Sequence, residues 1–332
     1  MPSFRRFFKR VQFQSNNLLH LRDLPQYNRV MEKWSVAGRL QKGVAWLLFF
    51  GFFCLTACAG GSPARQAAAK TDSGAVPANT GQEAEKPKLL LPEASGTIVY
   101  TGAGVTIDAS HTDQGYVMVR CEPSKMRLKA RISTSIQTYY YDLPGGEEYN
   151  VFPLQMGDGI YTVRVMEQVE DDLYAVRFGT EIEVRLASET IPFLYPNQYV
   201  WYDENTNAVL EAQSLAEKLT SDKQIADQFY RFVVKHMTYD TQKAETVPSG
   251  YLPNADESLA SGKGICFDYA ALLAVMLRSR GIPTRMLIGT VTPENLYHSW
   301  NSVYLDGEWV WMDPTLDGTG HREKDYITER IY

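Results

Sequence analysis

The sequence predicts an α+β protein in which an all-β sandwich precedes a domain of buried helices closed by a hairpin. Two patterns lead to that expectation. Between residues 96 and 190, apolar and polar residues alternate with a period of two and no helical stretch intervenes. From about residue 205 a helical period takes over, and it gives way near the end to strand-like segments around a tight turn.

With 332 residues the chain has room for about two domains plus tails. Hydrophobic residues make up 44% and charged residues 22%, which supports a packed core and excludes wholesale disorder. The net charge of −6 hides an asymmetry, because residues 1–57 carry nine Lys/Arg against two Asp/Glu and the remainder carries 24 against 37. An acidic body lacks the basic footprint that phosphates need, so no nucleic-acid partner is expected. Four cysteines are too few for a disulfide scaffold.

Residues 1–57 read as a leader and signal peptide. The strongly apolar run Val44–Leu55 is short for a bilayer span of about 20 residues but suits a signal-peptide core. Arg39 and Lys42 supply its positive flank. Met31-Glu32-Lys33 opens a segment of ordinary signal length, so translation is expected to begin there; the alternative is a long cytoplasmic leader. The run closes with Leu55-Thr56-Ala57-Cys58, which resembles the lipobox of bacterial lipoproteins. That resemblance implies lipid on Cys58 and a body anchored on the extracytoplasmic side of the membrane; an uncleaved anchor would place it there too.

Residues 58–95 are rich in Ala, Gly, Ser, Pro and Thr and read as a flexible linker with too little apolar surface to fold. In the sandwich domain, 96–190, Met126–Ile132 and Ile182–Leu186 alternate strictly, as strands with one buried face do. Gly145-Gly146, Gly157-Asp158-Gly159 and Asp171-Asp172 mark turns, and the arrangement is compatible with an immunoglobulin-like sandwich. Cys121, ending the run Tyr116–Cys121, reads as a small core residue.

The last domain, 191–332, opens its helices with Ser221-Asp222-Lys223-Gln224, which has capping-box form. Ile225, Phe229, Phe232 and Val233 follow as one apolar stripe, and His236 reads as a favourable charge at the helix end. Cys266 then leads into Phe267–Leu277, apolar almost all round and so a buried central helix. Arg278 and Arg280 complement its C-terminus, Gly281 suits the position beyond it, and Pro283 prevents continuation. Cys266 therefore stands at a helix N-terminus, where the macrodipole and free N–H groups favour a thiolate.

His298–Leu305 is strand-like, Asp306-Gly307 is a favoured hairpin turn, and Glu308–Asp313 returns. If Leu305 pairs with Glu308, then Trp300 faces Asp313 and His298 faces Thr315. His298 and Asp313 become diagonal neighbours on one face, about 7–8 Å apart at the backbone. A carboxylate at that reach can hold an imidazole in one tautomer. A slip of one residue would destroy the relation.

Together Gly264-Ile265-Cys266-Phe267-Asp268-Tyr269-Ala270, Leu277–Arg285, His298-Ser299-Trp300 and Asp313-Pro314-Thr315 resemble the transglutaminase-like superfamily of papain-related cysteine enzymes. The order Cys, His, Asp and the strand Met286–Val291 match as well. The resemblance implies a papain/transglutaminase-like domain with Cys266 as nucleophile, His298 as general base and acid, and Asp313 as orienter. Ser299 departs from the Ala common in relatives. The backbone N–H of Cys266 and Tyr239 are the candidate oxyanion donors. The expected chemistry is thiol acyl transfer on a peptide, protein or cell-wall amide, with hydrolysis favoured slightly over cross-linking and no cofactor required. The alternative is a non-catalytic cell-surface binding or assembly module on the same fold. A metal site built from the same three residues is less simple than a nucleophile backed by a His–Asp pair.

Overall fold

The computed structural model describes residues 89–317 and 321–332. The leader, Cys58 and most of the linker lie outside the described residues. Among the described residues, no helix is long and apolar enough to cross a membrane.

Eight strands form the first half: β1 (Val99–Gly102), β2 (Val105–Asp108), β3 (Tyr116–Cys121), β4 (Leu128–Ser133), β5 (Thr138–Asp142), β6 (Gly146–Pro153), β7 (Gly159–Glu170) and β8 (Leu173–Val184). They make two antiparallel sheets, β1-β2-β3-β6 and β5-β4-β7-β8. The alternation explains the packing. Ala130 and Ile132 of β4 and Tyr161, Val163 and Val165 of β7 point inward and meet Ile107, Val117, Val119 and Cys121 from the other sheet in one core. Asp171, at a left-handed φ of 44°, turns β7 into β8. Cys121 is fully buried, and burial pushes its thiol up.

The linker stops short of residue 95. Leu89 and Leu91 pack against the main core, Leu90 and Ala94 against Tyr116 and Met118, and the Glu93 amide donates to the Tyr116 hydroxyl. Three leucines in a row supply apolar surface that the composition of the whole segment concealed.

The second half contains α1 (Asn207–Leu215), α2 (Asp222–His236), β9 (Thr238–Tyr239), α3 (Thr241–Thr246), α4 (Ala255–Ser261), β10 (Lys263–Gly264), α5 (Cys266–Arg278), β11 (Thr284–Val291), β12 (Leu296–Leu305), β13 (Glu308–Met312) and β14 (Tyr326–Ile331). Ser221 caps α2 by accepting from the Gln224 amide, and Asn254 caps α4 by accepting from Asp256 and Glu257. Every residue of α5 except Phe267 is buried, as its all-round apolar sequence requires. It packs on α1, α2 and α4 on one side and on β11 and β12 of the sheet β13-β12-β11-β14 on the other.

Two basic residues in the last turns of helices make further contacts. Arg278 ends α5. It is fully buried and donates to the carbonyls of Thr284, Tyr195 and Tyr332. Burial pulls its guanidinium down to about 10. His236 binds the Leu259 carbonyl at 2.6 Å and stacks on Phe232, so it joins α2 to α4.

Residues 89–332 fall within one compact unit, and a single core runs from Ile107 and Tyr141 through α5 to Tyr332. Strand β14 joins the halves. Arg330 Nη1 donates to the Thr138 carbonyl at 2.8 Å, Gln155 Nε2 to the Ile331 carbonyl at 3.2 Å, and the Ile331 amide to the Tyr139 hydroxyl at 3.3 Å.

Candidate active site

Cys266 is the first residue of α5, and the chain enters it through the short parallel pairing of β9 with β10. Ile265, extended at φ −97° and ψ 178°, occupies the cap position. Its amide donates to Asp268 Oδ2 at 2.8 Å, and its carbonyl accepts from the Asp268 and Tyr269 amides. The peptide ahead of Cys266 is thus held on both sides. Gly264 is required here, because a Cβ on it would lie 2.5 Å from the Cβ of Asp268. Cys266 itself is 8% exposed and not in a disulfide.

The hairpin has the register expected from the sequence: Leu305 pairs with Glu308, Val303 with Val310 and Asn301 with Met312. Pairing ends there. Asp313 leaves the strand and turns its carboxylate toward His298, whose Nε2 lies 2.7 Å from Asp313 Oδ2. Cys266 is the other group whose interaction with His298 favours the charged ring. With Nε2 committed to Asp313, Nδ1 is the nitrogen left for the thiol. The structure therefore brings together the three residues singled out from sequence.

Asp313 is fully buried, and a carboxylate has about four acceptor positions. All are used. Oδ2 accepts from His298 and from the Tyr326 hydroxyl at 2.7 Å, while Oδ1 accepts from the Thr315 and Leu316 amides at 2.9 and 3.1 Å. Burial alone would raise its pKa, but His298, Tyr326 and the Leu316 amide outweigh that and hold it below the usual carboxylate range. Burial first, and then the Asp313 charge, push the Tyr326 phenol up, so it stays a donor.

Tyr326 was not legible from sequence. It arrives on β14, whose register against β11 shifts between Ile288 and Gly289. Gly289 pairs with His298 on one side, and a Cβ on it would lie 2.0 Å from the Ile327 carbonyl on the other. Only glycine permits that approach. Trp300 stacks parallel to His298 at 6.2 Å and meets Tyr326 edge-on at 4.9 Å, which shields the pair from water. Ser299, the departure from the usual Ala, is accommodated by donating to the Leu287 carbonyl at 2.9 Å.

For His298, burial favours the neutral ring, yet the Asp313 charge and hydrogen bond, with Cys266, overcome it and push the imidazole up to about 10. A histidine raised from 6.5 contributes stability that is complete below 6.5 and lost as pH rises through about 10. The Asp313 contribution is present above 3.8 and lost as pH falls. A His298→Gln variant should therefore be less stable than the native chain by ~3–5 kcal/mol near pH 5.5, as when one partner of a buried pair is removed. Urea unfolding should show that gap narrowing toward pH 10; a gap independent of pH would contradict the assignment.

Around Cys266 lie Tyr239 from β9 and Tyr297 from β12, with Phe267 tilted against Tyr297 at 6.2 Å. Burial first, and then the Cys266 charge, push the Tyr239 phenol up, so it remains a donor beside the sulfur. Among the described residues, no cluster of three or more His, Cys, Asp or Glu side chains has metal-binding geometry.

A thiol at a helix start thus lies beside an imidazole that is held by a buried carboxylate. Residues 212–314 match the sequence model of the Transglutaminase-like superfamily, and the protein carries a transglutaminase-like domain preceded by a β domain. No curated protein matches the chain. Similar solved structures include a Cytophaga hutchinsonii protein provisionally described as a cysteine protease, at 13% identity and a TM-score of 0.38, covering 65% of this chain and 83% of that one. The periplasmic domain of TgpA from Pseudomonas aeruginosa is 16% identical with a TM-score of 0.32, over 65% and 95% of the two chains. LapG from Legionella pneumophila is 19% identical with a TM-score of 0.31, over 40% and 75%.

Proposed function

We propose that the protein is a cysteine enzyme performing thiol acyl transfer on an amide. The observation that carries the reading is the 2.7 Å contact between buried His298 and Asp313, with Cys266 on the other side of the imidazole. The Cys266 sulfur attacks the amide carbonyl carbon, and the backbone N–H of Cys266 with the Tyr239 hydroxyl stabilise the resulting oxyanion. His298 gives its proton to the amine nitrogen as the C–N bond breaks, leaving a thioester on Cys266. Water, deprotonated by His298, attacks the thioester, the acid departs, and the sulfur is released. Hydrolysis needs no second substrate and is the reading preferred; an amine in place of water would make the same site a cross-linking transglutaminase.

An iodoacetamide-type probe on the native protein, followed by peptide mapping, tests the proposal. Label should fall on Cys266 and spare fully buried Cys121. A native protein that takes no label at Cys266 would leave the binding module as the better reading.

We further propose that Cys58 is lipidated and that the domain works outside the cytoplasmic membrane on peptide, protein or cell-wall amides. The support is the Leu55–Cys58 sequence behind an apolar run. Cys58→Ala should release the protein from the membrane fraction or leave an unprocessed precursor. Normal processing with unchanged attachment would count against the anchor.

A further inference from the structure

Two residues beyond Cys266, Asp268 is a carboxylate with no solvent exposure. Besides the Ile265 amide it holds Lys243 Nζ at 2.8 Å on Oδ2 and the Tyr251 hydroxyl at 2.6 Å on Oδ1. Lys243 also donates to the Tyr251 hydroxyl at 2.7 Å, so the three side chains form a closed triangle. Lys243 comes from α3, where its amide is fixed by Asp240, and Tyr251 comes from the segment between α3 and α4. Neither belongs to the Cys–His–Asp set. A helix cap needs only a carboxylate accepting an amide, and a fully buried anion beside a nucleophile that must itself be anionic is an electrostatic handicap.

We propose that Asp268 and Lys243 are positioning residues for the nucleophile. Asp268 fixes the peptide that aims the Cys266 N–H, and Lys243 cancels the Asp268 charge so that the start of α5 still favours a thiolate. The inference rests on the reading of Cys266 as a nucleophile. The other groups facing Cys266 are His298 and Tyr297 from β12 and Tyr239 from β9. Among all of these, Lys243 is the cation whose partner is a carboxylate on the nucleophile's own helix.

The test is the pH profile of iodoacetamide alkylation of Cys266 in the full chain, with thermal unfolding measured in parallel. Lys243→Met, which leaves Asp268 uncompensated, should move the profile to higher pH and slow labelling at pH 6 by about tenfold, the change equivalent to one pH unit. Lys243→Arg should restore labelling to within about twofold, because it keeps the charge. Asp268→Asn keeps an acceptor for the Ile265 amide, removes the anion and leaves a partly exposed lysine, so it should fold and shift the profile to lower pH. A purely structural cap would predict loss in every variant and no downward shift. An Asp268→Asn profile that stays put or moves upward overturns the proposal, whatever Lys243→Met does to folding. Should the native Cys266 be inert at every pH, the functional reading itself fails, which is a separate and recognisable result.

Discussion

A chain shortened to begin near Thr190, without the sandwich, should be molten, while one beginning near Gly96 should unfold cooperatively. The transglutaminase-like half does not close its own core. Tyr139 and Tyr141 of β5 pack edge-on against Tyr332. Each large side chain returned to water costs about 1.5–3 kcal/mol, a large share of the 5–15 kcal/mol that stabilises a typical domain. Polar contacts are lost too, since Gln155, Thr138 and Tyr139 would no longer satisfy β14. The expected signature is retained far-ultraviolet dichroism with lost near-ultraviolet dichroism and dye binding. A sharp calorimetric transition in the shortened chain would show that the sandwich is dispensable to the fold.

His298→Ala should move alkylation of Cys266 to higher pH, slowing it at pH 6 by about two orders of magnitude. Asp313, with Cys266, holds the buried imidazole charged, so removing the ring removes the positive charge beside the sulfur. Asp313→Asn should shift the profile in the same direction but less, because the ring remains with a weaker partner. Tyr326→Phe should have the smallest effect, since it removes one of the four hydrogen bonds to Asp313. A profile indifferent to His298 would sink the catalytic reading.

Short-range signals made much of this site readable. The Asp306-Gly307 turn fixes the pairing of β12 with β13, and that pairing brings His298 within reach of Asp313. The apolar run after Cys266 gives α5, and Gly281, at φ 76°, ends the turn beyond it. Residues recruited across long loops were not readable. Tyr326 reaches Asp313 only because β14 lies beside β11 with a shifted register, a pairing that no local pattern encodes. Lys243 and Tyr251 meet Asp268 through the placement of α3 and the segment after it, which depends on tertiary packing. Arg278 stands at its helix end as the sequence suggests, but its burial was not readable, because carbonyls from three separate segments converge on it.

The saturation of Asp313 has a kinetic consequence. Four donors face its acceptor positions and stabilise the anion, so passing a proton from His298 to the carboxylate during turnover is disfavoured. Proton traffic is confined to the imidazole of His298 and the groups it touches on the Cys266 side. In mixtures of light and heavy water, the acylation rate of the proposed enzyme should then fall linearly with deuterium fraction, as it does when a single proton is in flight. A bowed dependence would mean that Asp313 relays a second proton.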